Sequence, residues 1–202
     1  MQHGASGISS ILPPLYDSTE GLLAYFRALY EAAPEIPLLP YLYGGPVDAV
    51  ALMQTFMQIP SIAGTKYTGP NMHELRGIVE LRAGNWTVFS GMDEQCLFAA
   101  IAGSSGNIGS TVNLFPGLYR AIHAHQQAGE FTAAYQLQLR ANAVIKVLYA
   151  TGKWSAALKT AMGMLGFDCG APRLPRLPMT PAEQEKLRAQ LEASDFRELA
   201  AL

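Results

Sequence analysis

The first 115 residues alternate short β-type runs with amphipathic helical stretches, and beyond about residue 116 the β-type runs stop. Gly7 to Leu12 reads as a strand ended by Pro13-Pro14. Between Ser18 and Ala33, Leu22, Leu23, Phe26, Leu29 and Tyr30 recur at helical spacing. Pro37 to Tyr41 is a second strand candidate, weakened by Pro40, which has no N–H to give to a ladder. A helix over 47–57, a strand from Ile62 to Lys66, a helix from Asn71 to Leu81, a strand from Trp86 to Ser90 and a helix from Glu94 to Ala102 follow. Gly106 to Ser110 is a candidate fifth strand. Strands separated by helices of this length predict βαβ units and a parallel sheet. From Pro116 to Ala150 the pattern gives two long helices broken near Gly129, then a third over 155–164. Thr180-Pro181-Ala182-Glu183 reads as a capping box that opens a charged terminal helix.

Composition narrows the functional classes. Half of the 202 residues are hydrophobic and 15% are charged, which excludes a disordered chain and predicts a buried core. A formal charge of −2 leaves no basic excess to neutralise phosphates, so nucleic acid is not an expected partner. Cys96 and Cys169 are isolated, outside any zinc spacing, and fit a reducing compartment. With no basic stretch ahead of a long apolar run, neither a signal peptide nor a membrane span is expected, and the expected location is cytoplasmic. His123 and His125 fall on different helix faces with no third ligand, so no metal is expected.

In α/β sheets and barrels the chemistry sits where strands end and the following loops begin. Those positions hold Tyr41, then Lys66-Tyr67-Thr68, then Gly91-Met92-Asp93-Glu94, then Gly109-Ser110-Thr111-Val112-Asn113. Lys66 ends an apolar run. A desolvated lysine yields the neutral amine that attacks a ketone to form a Schiff base, whereas one that snorkels to solvent does not. Tyr41 lies one strand earlier, where a phenol can shuttle a proton or simply pack. Asp93 and Glu94 can accept hydrogen bonds from a polyol or serve as first-turn helix acids. The glycine-rich run from Gly103 to Ser110 lacks both the GKS/T ending and the GxGxxG order of nucleotide loops.

In their order and spacing these residues resemble the N-acetylneuraminate lyase and dihydrodipicolinate synthase family of class I aldolases, from Gly4 to about Phe196. Gly4 to Ser10 resembles the fourth strand of that family's barrel, Gly64-Thr65-Lys66-Tyr67-Thr68 its Schiff-base segment and Tyr41 its catalytic tyrosine. Gly91 to Gln95 and Gly109 to Asn113 resemble the segments after strands seven and eight. Tyr67-Thr68 after the lysine, the Asp93-Glu94 pair and the run Gly-Ser-Thr-Val-Asn resemble the family's sialic-acid lyase branch.

The resemblance implies an α/β fold: a partial (β/α)8 TIM barrel, strands four to eight, followed by a C-terminal helical extension. Residues 1–115 would form the barrel part, and residues 116–202 the last barrel helix and the extension. It implies reversible cleavage of N-acetylneuraminate to N-acetylmannosamine and pyruvate. Lys66 would form the imine, Tyr41 assisted by Thr68 would move the C4 hydroxyl proton, and Gly91, Asp93, Glu94, Gly109 and Ser110 would hold substrate. It implies no cofactor, small-molecule partners (sialic acid and pyruvate), no membrane, and a homo-oligomer, a tetramer in the family. A dihydrodipicolinate synthase, a keto-deoxy-sugar-acid aldolase and a non-catalytic fragment are the alternatives. The sequence departs from the family at Leu42 to Val47 after the tyrosine, at Val112, and in lacking a counterpart of the glycine- and threonine-rich carboxylate-binding motif. The expectation is therefore five of eight strands, with Leu39, Ile62 and Val88 losing partners across the barrel.

Overall fold

Local capping sets the helix starts in the first part of the chain. The computed structural model describes residues 4–44 and 48–202. Ser18, Asp48 and Asn71 each stand at an N-cap, and their side-chain oxygens accept from the N–H groups of Gly21, Ala51 and Glu74 at 2.9–3.1 Å. The helices they open are α1 (Thr19–Ala32), α2 (Ala49–Phe56) and α3 (Met72–Glu80). Val47, where the sequence pattern starts the second helix, lies outside the described residues, as do Gly45 and Pro46.

These helices, with α4 (Cys96–Ile101), alternate with β1 (Ile8–Ile11), β2 (Leu38–Tyr43), β3 (Gly64–Thr68), β4 (Thr87–Ser90) and β5 (Gly106–Asn107). The five strands form one parallel sheet in sequential order. The sequence therefore places an α/β fold with a parallel sheet correctly. Several boundaries move: β2 runs past Tyr41 to Tyr43, and β5 ends at Asn107 rather than Ser110. The third strand runs two residues later than expected, so Lys66 lies in its middle rather than at its end. Pro40 sits inside β2 between two neighbours, where its carbonyl accepts a 2.7 Å hydrogen bond from the buried Thr65 hydroxyl. A side chain thus bonds the proline's carbonyl on the side where the proline has no N–H to give.

The chain divides into two compact units, one of residues 1–92 with 98–108 and one of residues 93–97 with 109–202. In the first, Leu38, Leu42, Ile62, Tyr67 and Val88 from the sheet pack with Leu22, Phe26, Phe56, Leu75 and Ile78 from the helices. Ile62 and Val88 are 1% exposed. They face the helical layer, so the expectation that they need partners across a barrel is corrected. The second unit contains α5 (Pro116–Gln127), α6 (Phe131–Tyr149), α7 (Trp154–Met164), α8 (Pro181–Glu192) and α9 (Phe196–Ala200). Its core joins Leu118, Ile122, Ala141, Val144, Leu148, Leu187, Leu191 and Phe196. The Thr180–Glu183 capping box forms as the sequence indicates. The separate helix α9 was folded into the terminal helix by the sequence pattern; Ser194 ends α8 with its hydroxyl bonded to the Leu191 carbonyl.

Gly64 shows how tightly the sheet is closed. It has φ +151°, and a Cβ there would lie 1.7 Å from the Thr87 carbonyl oxygen. Gly64→Ala should cost about 3 kcal/mol or more, through overpacking and backbone strain together. A lower urea midpoint with unchanged slope is the expected reading.

Candidate active site

Registered residues in a parallel pair project to the same face of a sheet, so the β2–β3 register decides what can meet. Tyr41 is paired with Lys66, and Tyr43 with Thr68. The Lys66 Nζ sits 4.0 Å from the centroid of the Tyr41 ring, within range of attraction between a cation and a ring face. Both residues are half-buried. Thr68, two residues along the same strand, turns its hydroxyl to the same side; that oxygen is buried and has no hydrogen-bond partner among the described residues. Gly91, just past β4, closes the group. A Cβ at residue 91 would lie 1.7 Å from Thr68 Oγ1 and 2.9 Å from Lys66 Cε. The Gly91 N–H donates to the Tyr67 carbonyl at 2.8 Å. The structure thus brings Tyr41, Lys66, Thr68 and Gly91 together on one face of the sheet.

The other face is packed. Tyr67 donates its hydroxyl to Glu74, whose second oxygen accepts from the Ala49 N–H at 3.0 Å. Burial, and then the Glu74 carboxylate, push the Tyr67 phenol above its ordinary range. Beyond this packing, at the C-terminal ends of β1 to β3, a cavity of about 610 Å³ opens, lined by Leu12, Leu42, Tyr43, Leu52, Tyr67 and Glu74 among others, and by none of Tyr41, Lys66 and Thr68.

The remaining sequence candidates belong to the second unit. Asp93 is 4% exposed, and its Oδ2 accepts from both the N–H and the hydroxyl of Thr111 at 2.7 Å. Thr111 gives its single hydroxyl proton to that carboxylate, so the Tyr119 phenol, 2.7 Å away, donates to Thr111. Burial, reinforced by Asp93, holds the Tyr119 phenol well above its ordinary range. A Cβ at Gly109 would lie 1.8 Å from Asp93 Oδ1. The carboxylate expected to meet a polyol is therefore engaged in fixing the 109–111 loop, in which Ser110 is exposed. Glu94 is half-buried, and its carbonyl accepts from Asn142 Nδ2 at 3.1 Å. Sequence reasoning missed Gln138 and Asn142 of α6, which bond the backbone of residues 93–97. The available signal was a glutamine interrupting the apolar stripe Ala134, Ala141 and Ile145.

Among the described residues no three of His, Cys, Asp and Glu gather as a metal group, and no helix is long and apolar enough to cross a membrane. His125 is hydrogen-bonded to Glu130 at 2.5 Å.

Two outcomes follow from this geometry. A buried hydroxyl without a partner costs roughly 1–3 kcal/mol, so Thr68→Val should raise the melting temperature, read by calorimetry. Burial, then Asp93, push the Cys96 thiol up to about 12. Folding therefore favours the protonated thiol, a contribution that is complete below the unfolded thiol's value of about 8.5 and declines as pH rises above it. Iodoacetamide at pH 8 should label only the exposed Cys169 in the native chain and both cysteines after denaturation, as counted by mass spectrometry.

The dihydrodipicolinate synthetase family model matches residues 1–194. The chain is 31% identical over 198 residues to a 4-hydroxy-tetrahydrodipicolinate synthase of Maridesulfovibrio salexigens, covering 96% of this chain and 67% of that protein. It is also 31% identical over 188 residues to an N-acetylneuraminate lyase of Rhizobium meliloti, covering 92% and 62%. Among solved structures, the N-acetylneuraminate lyase of Proteus mirabilis superposes with a TM-score of 0.85 at 27% identity, covering 93% of this chain and 65% of that one. The chain spans about two thirds of the length of the curated relatives it matches.

Proposed function

Since this chain belongs to the dihydrodipicolinate synthetase family, we propose that it carries the Schiff-base machinery of a pyruvate-dependent aldolase of the sialic-acid lyase type. The observation that carries the proposal is the Lys66 amine held 4.0 Å from the Tyr41 ring across registered strands. On this reading the five strands are strands four to eight of a barrel, residues 1–115 belong to it, and residues 116–202 supply its last helix and an extension.

The chemistry follows from those groups. The neutral Lys66 amine adds to the C2 ketone of the open-chain sugar, one proton is taken up and water leaves, giving a protonated imine. That imine accepts the electron pair of the C3–C4 bond as it breaks, while the C4 hydroxyl proton passes to Tyr41 and C4 becomes the aldehyde of N-acetylmannosamine. The enamine left on Lys66 takes at C3 the proton passed to Tyr41, and water adds to the resulting protonated imine to release pyruvate, the free amine and the proton taken up at the start. Thr68 supports the phenol, and its unpartnered hydroxyl is the group available for that hydrogen bond. Gly91, Glu94, Gly109 and Ser110 bind substrate, with Asp93 shaping the loop that presents Ser110. The lyase branch is favoured over the synthase by Tyr67-Thr68 beside the lysine and by Gly109-Ser110-Thr111-Val112-Asn113.

Pyruvate with borohydride should leave a reduced covalent adduct on Lys66, located by peptide mass, and Lys66→Ala should abolish it. A folded sample without adduct overturns the proposal. Turnover of N-acetylneuraminate, set against consumption of aspartate semialdehyde with pyruvate, separates lyase from synthase.

A further inference from the structure

Gln138 is a buried amide in the middle of α6, 1% exposed and surrounded by an apolar stripe. Its hydrogen bonds are specific. Its Nε2 donates to the Asp93 carbonyl at 3.1 Å and to Asn142 Oδ1 at 2.9 Å, and its Oε1 accepts from the Leu97 N–H at 2.9 Å. Asn142, one turn along, donates to the Glu94 carbonyl at 3.1 Å. Asp93 and Leu97 are four residues apart, so in a continuous α-helix their C=O and N–H would bond each other. The Gln138 amide occupies that step and takes both groups. A side chain inserted into the i→i−4 ladder bends or breaks a helix where it enters. The result is visible here: Asp93–Gln95 forms a separate 3-10 turn, and the α-helix α4 begins only at Cys96.

We infer that Gln138, seconded by Asn142, is a positioning residue that sets the direction of Glu94 and thereby selects the aldehyde partner of the reaction. The inference rests on the proposed aldolase reading, in which Glu94 contacts the part of the substrate remote from the imine. Neither α6 residue needs to touch substrate. The turn carrying Glu94 has its backbone fixed at three points, the Asp93 and Glu94 carbonyls and the Leu97 N–H, and all three are held by these two amides. Asp93 depends on the same turn, and through Thr111 it holds the loop next to Ser110. An apolar side chain at 138 would suit the buried stripe but would release the turn. The Asp93 carbonyl and Leu97 N–H would then pair, and residues 93–95 would join α4 as regular helix, rotating Glu94 about the helix axis.

The test uses Gln138→Met, which keeps the length of the side chain and removes its hydrogen bonds. The expected result is a KM for N-acetylmannosamine raised roughly tenfold, with kcat and the extent of pyruvate–borohydride labelling at Lys66 unchanged. The variant's crystal structure should show Asp93 O and Leu97 N about 2.9 Å apart. Asn142→Ala, which removes the hold on Glu94 and one of the two Gln138 Nε2 bonds but keeps the Gln138 bridge between the Asp93 carbonyl and the Leu97 N–H, should shift KM the same way by a smaller factor and serves if Gln138→Met does not fold. An unchanged KM in a folded variant that still labels at Lys66 overturns this inference alone. Parallel losses of kcat, KM and labelling reduce Gln138 to a structural role and also overturn it. Absence of labelling in the wild-type chain overturns the aldolase reading first, and this assignment with it.

Discussion

The parallel register between β2 and β3 is the constraint on which the other features of the sheet depend. It places Tyr41 opposite Lys66 on one face and Leu42 opposite Tyr67 on the other. A slip of one residue would exchange the faces, turning the lysine into the packed layer formed by Leu22, Phe26, Leu38 and Leu75. Desolvating a charge there costs several kcal/mol, comparable to a domain's net stability of about 5–15 kcal/mol. The register is pinned at more than one point. Thr65 bonds the Pro40 carbonyl, and Gly44 donates to the Thr68 carbonyl. The same sheet can therefore be apolar and buried on one side while it carries an amine, a phenol and a hydroxyl on the other.

Close approach of backbone to functional side chains is the second constraint. Gly91 and Gly109 are required for the same reason: in each case a Cβ would overlap a polar side chain, Thr68 in one and Asp93 in the other. The two side chains then differ in state. Thr68 keeps a buried hydroxyl with no partner among the described residues, a destabilising arrangement that makes physical sense where the Tyr41 phenol takes that bond in the reacting site. Asp93 has its Oδ2 engaged by Thr111, and so acts on the shape of a loop.

What could be read from the sequence follows from the range of the interactions concerned. The helix starts near 18, 71 and 180 were legible because Ser18, Asn71 and Thr180 cap within three residues of themselves, whereas the apolar pattern starts the second helix at Val47, ahead of its Asp48 cap. The parallel sheet was legible from strands alternating with helices. The exact limits of β3 were not, because they depend on Gly64 passing against Thr87 some twenty residues away, and sequence periodicity carries no record of that pairing. Persistence of β2 through Pro40 was illegible for the same reason, since the compensating hydroxyl comes from Thr65. Of the candidate site, Tyr41, Lys66, Thr68 and Gly91 were visible as chemically apt residues near the ends of expected strands, although Tyr41 and Lys66 lie within β2 and β3. Gln138 and Asn142 were not, because an amide in a helix reveals its role only through partners more than forty residues distant.

The distribution of these groups along the chain has a consequence for how such an enzyme can vary. On the proposed reading, the amine, phenol and hydroxyl that make and break the imine project from adjacent strands, and their geometry is fixed by the ladder itself. A change there alters the sheet and the chemistry together. Glu94 and Ser110 sit instead on a 3-10 turn and a short loop, held by side-chain amides of α6 and by one carboxylate. Hydrogen bonds of this kind contribute on the order of 1 kcal/mol each, enough to shift a preference between aldehydes tenfold and small against the stability of the fold. A scaffold divided in this way keeps one carbon–carbon bond chemistry while its aldehyde partner changes. The similarity of the chain both to a relative named as a synthase and to one named as a lyase, each at 31% identity, fits that division.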